Sequence, residues 1–171
     1  INIFNIDDKV GEEFFNKSLN RDIKTYTYGV EKEADFKAAN IKLYDDRTEY
    51  DLIIDKQKYK VSTPILGNFN VYNTLAAITT CILLGLNRED VIKRVQNLKS
   101  VSGRLDKVEN DKNVNIIVDY AHTPDALLNI LKSARLFTKN RIILVFGCGG
   151  NRDKAKRPIM GTIAQQNADI S

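Results

Sequence analysis

Apolar and polar positions alternate, cluster or recur at helical spacing in turn along this chain, and each rhythm predicts a different element. Residues 1–6 alternate and read as a strand ending at Asp7-Asp8. A short helix over 12–19 follows, and residues 24–28 alternate again up to Gly29. Residues 41–44, 50–54 and 59–62 read as short strands separated by charged turns, which predicts antiparallel pairing with the charged side chains on a solvated face. Thr63-Pro64-Ile65-Leu66-Gly67 breaks this pattern before a helix over 70–84. Val71, Leu75, Ile78 and Ile82 form its buried stripe, and Asn68 or Asn70 can cap it. Asn87 caps a further helix over 88–98 with Val91, Ile92, Val95 and Leu98 inward.

Lys99-Ser100-Val101-Ser102-Gly103 reads as a hinge, and a domain boundary is placed there, dividing the chain into 1–101 and 102–171. The second part opens with a strand over 105–109, a polar turn and the apolar run Ile116-Ile117-Val118. Asp119 and His122 follow that run directly. Thr123 is a helix N-cap, Pro124 suits the first helical position and Asp125 complements the positive end of the helix dipole. Ala126, Leu127, Ile130, Leu131 and Ala134 then recur at helical spacing. The run Ile142-Ile143-Leu144-Val145-Phe146 is apolar without alternation, which predicts a strand buried on both faces. Strand, helix and strand in this order predict a right-handed βαβ unit. The fold class is therefore α/β, with candidate chemistry at the carboxyl ends of strands, where loops turn into helix N-termini.

Composition narrows the class of partner. The net charge of +4, from 26 basic and 22 acidic residues among 171, is mild and spread along the chain. No basic stripe argues for nucleic acid, although the balance suits phosphorylated substrates. The most apolar window, 71–86, is shorter than the ~20 residues a membrane helix needs, so no membrane is expected. Cys81 and Cys148 are too few for a disulfide framework and read as thiols of a reducing, cytoplasmic compartment. The chain opens in mid-strand without a methionine and reads as a fragment.

Each candidate residue has two readings at this level. Asp7 and Asp8 form a turn and helix cap, or hold a metal. Asn70 and Asn73 are neighbours on the first helical turn, where they hydrogen-bond locally, or Asn73 presents its amide to a planar ligand such as a nucleobase. Gly147-Cys148-Gly149-Gly150 forms an anion-binding nest flanked by Arg152, Lys154, Lys156 and Arg157, or simply permits a tight turn. It has neither dinucleotide-fingerprint nor phosphate-loop spacing. Arg152 is an exposed loop arginine, or its planar fork captures a carboxylate. His122, the single histidine, is structural or catalytic, and no second His or paired Cys suggests zinc. No G-x-S-x-G elbow supports serine-type catalysis.

Four ordered motifs carry a resemblance. Gly67-Asn68-Phe69-Asn70-Val71-Tyr72-Asn73-Thr74-Leu75-Ala76-Ala77, Gly103-Arg104, Val118-Asp119-Tyr120-Ala121-His122-Thr123-Pro124-Asp125 and the run from Gly147 to Pro158 together resemble the Mur ligases. The resemblance implies the rear of a central ATPase domain, a mixed sheet with helices, followed by the start of a Rossmann-like C-terminal domain that closes over it. It implies an ATP- and Mg²⁺-dependent amide ligase of peptidoglycan precursor synthesis, acting on a UDP-MurNAc-dipeptide. The acyl phosphate it makes is attacked by the amine of the third stem-peptide residue, expected to be meso-diaminopimelate. Relatives of the cyanophycin and folylpolyglutamate synthetase type, or a non-catalytic nucleotide- or anion-binding module, are the alternatives. By similarity Asn73 contacts adenine, Arg104 the phosphate or ribose region, and Asp119 the ribose hydroxyls. His122 lies beside the nucleotide and is the one candidate for catalysis, and Arg152 holds a carboxylate of the incoming amino acid. A monomer is expected. The family's Gly-Thr-Asn-Gly-Lys-Thr phosphate loop, its modified lysine and the Asp-Asn-Pro-Arg motif of diaminopimelate-adding members do not occur in these residues, and Asn151 stands where many relatives have aspartate. The chain alone is therefore expected not to ligate.

Overall fold

The computed structural model describes residues 1–112, 114–150 and 153–171. The chain separates into two compact units, Ile1–Lys99 and Ser100–Ser171.

The first unit is built on a five-stranded sheet whose spatial order follows the sequence: β1 (Asn2–Asn5), β2 (Thr25–Gly29), β3 (Phe36–Leu43), β4 (Thr48–Ile54) and β5 (Gln57–Thr63). β1, β2 and β3 run parallel, whereas β3, β4 and β5 form an antiparallel meander. Parallel neighbours need a crossover, which α1 (Lys9–Ser18) supplies between β1 and β2. Asp8 starts α1 by accepting the Gly11 N–H at 2.9 Å, as the capping reading required. Gly11 is obligatory for a different reason, because a Cβ there would lie 2.0 Å from the Asn5 carbonyl oxygen.

β3 begins earlier than the apolar pattern suggested and is kinked between Ala39 and Lys42, with Asn40 in a left-handed conformation at φ 53°. The bulge lets the Asn40 amide donate to Asp51 Oδ2 at 2.6 Å, while Lys60 Nζ lies 2.5 Å from Oδ1 and Lys58 Nζ 3.3 Å from Oδ2. Asp51 is thus only 2 % exposed, a correction to the solvated face expected of these strands. Its carboxyl is held well below the usual range, first by the Asn40 amide and then by the Lys60 ammonium. The opposite face carries Phe36, Ala38, Tyr50, Leu52, Ile54 and Val61 into the core.

α2 (Asn68–Leu83) and α3 (Arg88–Val95) cover that face with Val71, Leu75, Ile78, Val91, Ile92 and Val95. The expected stripe of α2 is present, with Ile82 partly buried at its end. Its start differs from expectation. Gly67, at φ 96°, takes the cap position without any side-chain bond, and Asn70 instead donates its side chain to the Leu66 carbonyl at 2.7 Å. Asn87 does cap α3, accepting the Asp90 N–H at 3.1 Å, but the helix ends at Val95 and leaves Leu98 42 % exposed. Tyr50 reaches the helix layer through a buried 2.9 Å hydrogen bond with Thr74, and burial pushes its hydroxyl up to about 12.

The second unit holds a two-stranded antiparallel ribbon, β6 (Asp106–Val108) with β7 (Ile116–Val118), and two helices, α4 (Pro124–Phe137) and α5 (Lys156–Asn167). Leu127, Leu131 and Met160 form its core, with Ile142, Leu144 and Cys148 packed against them. The strand expected over 142–146 is reduced to one parallel bridge, Ile143 to Ile170, and Val145 is 93 % exposed. A doubly buried strand needs ladders on both edges and cover on both faces. The described residues provide cover on the Ile142 and Leu144 side only, so uniform apolarity did not translate into uniform burial. The βαβ pairing expected between this segment and β7 is accordingly absent among the described residues, and β7 pairs with β6 alone.

Candidate functional site

In the second unit two short segments meet: the turn before β6 and the loop between β7 and α4. Gly103, at φ 73°, and Leu105, at φ 46°, bend the first segment sharply. A left-handed leucine is strained unless its surroundings enforce it, and the enforcing group is Asp119. Its Oδ2 accepts the Leu105 N–H at 2.8 Å while its Oδ1 accepts the Ala121 N–H at 2.7 Å. The Tyr120 N–H closes the junction by donating to the Gly103 carbonyl at 2.8 Å. Leu105 is buried beneath, so the adjacent Arg104 is held on the surface.

Arg104 places its guanidinium over the Tyr120 ring, 5.1 Å from the centroid. His122 packs its ring edgewise on the same tyrosine, with centroids 5.0 Å apart. Its Nδ1 lies 3.0 Å from the Tyr120 carbonyl, which can only accept, so Nδ1 is the donor in this bond. Lys156, at the start of α5, donates to the His122 carbonyl at 2.8 Å, and Arg157 donates to the Gly150 carbonyl. Arg104, Asp119 and His122, chosen from the sequence, are therefore brought together. Tyr120 and Lys156 join them, and the sequence marked these only as a motif letter and a nearby charge.

α4 begins where this loop ends. Thr123 Oγ1 accepts the Ala126 N–H at 3.3 Å, and Pro124 and Asp125 fill the first turn as their chemistry predicts. Thr123→Ala is expected to lower stability by about 1 kcal/mol in urea unfolding and Thr123→Ser to restore it.

Asn73 belongs to the first unit, exposed on α2. Its amide nitrogen donates to Asn70 Oδ1 at 2.8 Å, so the local hydrogen bond is made and the side chain also meets solvent. One residue before it, the Tyr72 hydroxyl donates to Asp7 Oδ2 at 3.0 Å. Asp7 accepts from three backbone N–H groups as well, Val30 at 2.6 Å, Glu31 at 3.0 Å and Lys32 at 2.8 Å. The paired carboxylates thus divide the work, Asp8 capping a helix and Asp7 tying the β2–β3 connection to α2. Sequence reasoning missed this second role. Arg152 and Asn151 lie outside the described residues. Among the described residues no three His, Cys, Asp or Glu side chains come together to hold a metal ion. Among the described residues, no helix is long and apolar enough to cross a membrane.

The same residues can be set beside known proteins. The Mur ligase middle domain matches residues 1–81, and the Mur ligase, glutamate ligase domain matches residues 103–171. The chain belongs to the Mur ligase family. It is 45% identical over 169 residues to UDP-N-acetylmuramoyl-L-alanyl-D-glutamate--2,6-diaminopimelate ligase of Clostridioides difficile (strain 630), a match covering 99% of this chain and 35% of that protein. A solved UDP-N-acetylmuramoyl-L-alanyl-D-glutamate--2,6-diaminopimelate ligase superposes with TM-score 0.73 at 32% identity, over 97% of this chain and 34% of the other. MurF ligase from Thermotoga maritima, solved in complex with ADP, shares the fold with TM-score 0.71 at 20% identity, over 95% and 37% of the two chains. This Mur ligase chain thus spans about a third of the length of the relatives it matches.

Proposed function

We propose that the protein containing these residues is an ATP-dependent amide ligase that adds meso-diaminopimelate to UDP-MurNAc-L-Ala-D-Glu in the cytoplasm, as a monomer. These residues would be the rear of its central ATPase domain, 1–101, and the start of its C-terminal ligase domain, 102–171. The observation that carries this reading is the 45% identity over 99% of the chain to a relative named for that reaction. The gathering of Arg104, Asp119 and His122 in one corner of the second unit supports it, because that set combines a cation, a carboxylate and a ring nitrogen.

In the proposed reaction the substrate carboxylate attacks the γ-phosphorus of ATP, ADP leaves, and an acyl phosphate forms. The diaminopimelate amine then attacks the acyl carbon, the tetrahedral intermediate collapses, and phosphate leaves as the amide forms. Catalysis of this kind depends on in-line positioning and on cationic groups placed where charge builds. Asn73 would offer its exposed amide to adenine. The Arg104 guanidinium is assigned to the phosphate or ribose region, and the spare lone pairs of Asp119 to ribose hydroxyls. His122 would stand beside the nucleotide, and Arg152 would hold a carboxylate of the incoming amino acid through its planar fork. Mg²⁺ enters the proposal through the phosphates of ATP, with none of the described side chains assigned to it.

The test is a coupled assay of the full-length protein with ATP, UDP-MurNAc-L-Ala-D-Glu and either meso-diaminopimelate or L-lysine. ADP release with a diaminopimelate-containing product identified by mass is the expected outcome. A preference for lysine would overturn the amino-acid assignment, and no ADP release with either would overturn the ligase reading. Residues 1–171 alone are expected to yield no product.

A further inference from the structure

Tyr120 stands at the centre of the second unit's cluster, although nothing in the proposed chemistry requires it. It is 64 % exposed, yet its ring contacts both Arg104 and His122. Its face lies under the Arg104 guanidinium and its ring packs against the edge of His122. Its N–H holds the Gly103 carbonyl and its carbonyl takes the His122 Nδ1 proton. Among the described residues, the contacts of Tyr120 within the cluster are made by its π-system and its main chain rather than by its phenol oxygen.

Resting on the nucleotide reading above, we infer that Tyr120 is a positioning residue whose aromatic face pre-orients Arg104 and His122 for ATP. The physical argument concerns what an exposed arginine otherwise does. A long side chain in water samples many rotamers, and ordering it upon binding costs affinity. A ring quadrupole beneath a guanidinium narrows that sampling in advance, and an edge-to-face partner does the same for an imidazole. The main-chain bonds to Gly103 and His122 survive any side-chain substitution, so the ring's share can be isolated.

The test compares Tyr120→Phe, which keeps the π-face, with Tyr120→Leu, which keeps apolar bulk without it, in the full-length protein. Arg104→Ala serves as the reference, and thermal unfolding is measured on every variant. Tyr120→Leu is expected to raise the KM for ATP by about tenfold, as the loss of one cation–π and one edge contact predicts. The KM for the amino acid and the unfolding temperature should stay near those of the parent, and Tyr120→Phe should stay within about twofold of it in all respects. The inference is overturned if Tyr120→Leu leaves the ATP KM unchanged, if Tyr120→Phe is as impaired as Tyr120→Leu, or if all constants fall together with the unfolding temperature. If Arg104→Ala itself leaves the ATP KM unchanged, the nucleotide reading fails and the positioning role falls with it.

Discussion

Asp119→Ala is expected to reduce kcat/KM for ATP of the full-length protein, in the proposed ligase reaction, by about a hundredfold or more, a larger loss than any other single substitution considered for this chain. Two effects combine. The direct one is removal of the carboxylate assigned to the ribose hydroxyls. The indirect one is structural: both oxygens already accept backbone N–H groups, from Leu105 and Ala121, and Leu105 is buried in a left-handed conformation. Leaving a buried N–H without a partner costs about 1–3 kcal/mol, and the turn can escape that cost by relaxing and carrying Arg104 away. Asp119→Asn separates the two. Its amide oxygen can still accept one of the N–H groups, so it should retain more stability than alanine while still binding ATP poorly. Steady-state kinetics with ATP varied, alongside urea unfolding, checks both. Equal kinetics for Asp119→Ala and the parent would remove Asp119 from the site.

In the first unit, Asp7→Ala is expected to cost about 2–3 kcal/mol. Its carboxylate accepts four hydrogen bonds, but those from Glu31 and Lys32 are at the surface, where water can replace it. The bonds from Val30 and Tyr72 are partly buried and charge-assisted, and they account for most of the estimate. The pH dependence has a definite sign. Burial by itself would raise the Asp7 pKa, but the N–H groups of Val30, Glu31 and Lys32 and the Tyr72 hydroxyl outweigh it, and the net shift is downward. A carboxyl with a lower pKa folded than unfolded contributes stability above its unfolded value of about 3.9, and loses that contribution as pH falls through the folded value. The stability difference between the parent and Asp7→Ala should therefore be full at neutral pH and shrink progressively below about pH 4. Urea unfolding at a series of pH values measures it. A difference that stays constant down to the acid limit would show that the carboxylate charge contributes nothing.

How much of this was legible in advance depended on the distance over which each interaction acts. The Thr123-Pro124-Asp125 helix start, the Asn87 cap and the Asp8 cap all came out as read, because a cap binds an N–H two or three residues away. The stripe Val71, Leu75 and Ile78 was also legible, since helical spacing on one segment defines a face whatever it packs against. The start of α2 was misjudged for a local reason. Two asparagines were plausible caps, but a glycine able to adopt φ 96° ended the chain's turn earlier.

Other features depended on partners far along the chain. Nothing near Asp7 announces Tyr72, 65 residues on, and nothing near Asp51 announces the bulge at Asn40 that buries it. The run 142–146 failed in the opposite direction, because composition reports how apolar a segment is and not which neighbours will cover it.

By itself the sequence determined the α/β class, the caps of α1, α3 and α4 and most of the faces, and through its four motifs the Mur ligase family. These follow from local backbone chemistry and periodicity, which act within a few residues. The tertiary structure alone decided that Asp119 braces a strained leucine, that Tyr120 links Arg104 to His122, and that Asp7 and Asp51 are clamped carboxylates. Apart from the local packing of His122 on Tyr120, each of these is a hydrogen bond, ion pair or ring contact between separate segments. Such contacts exist only once folding has brought the segments within a few ångströms of one another.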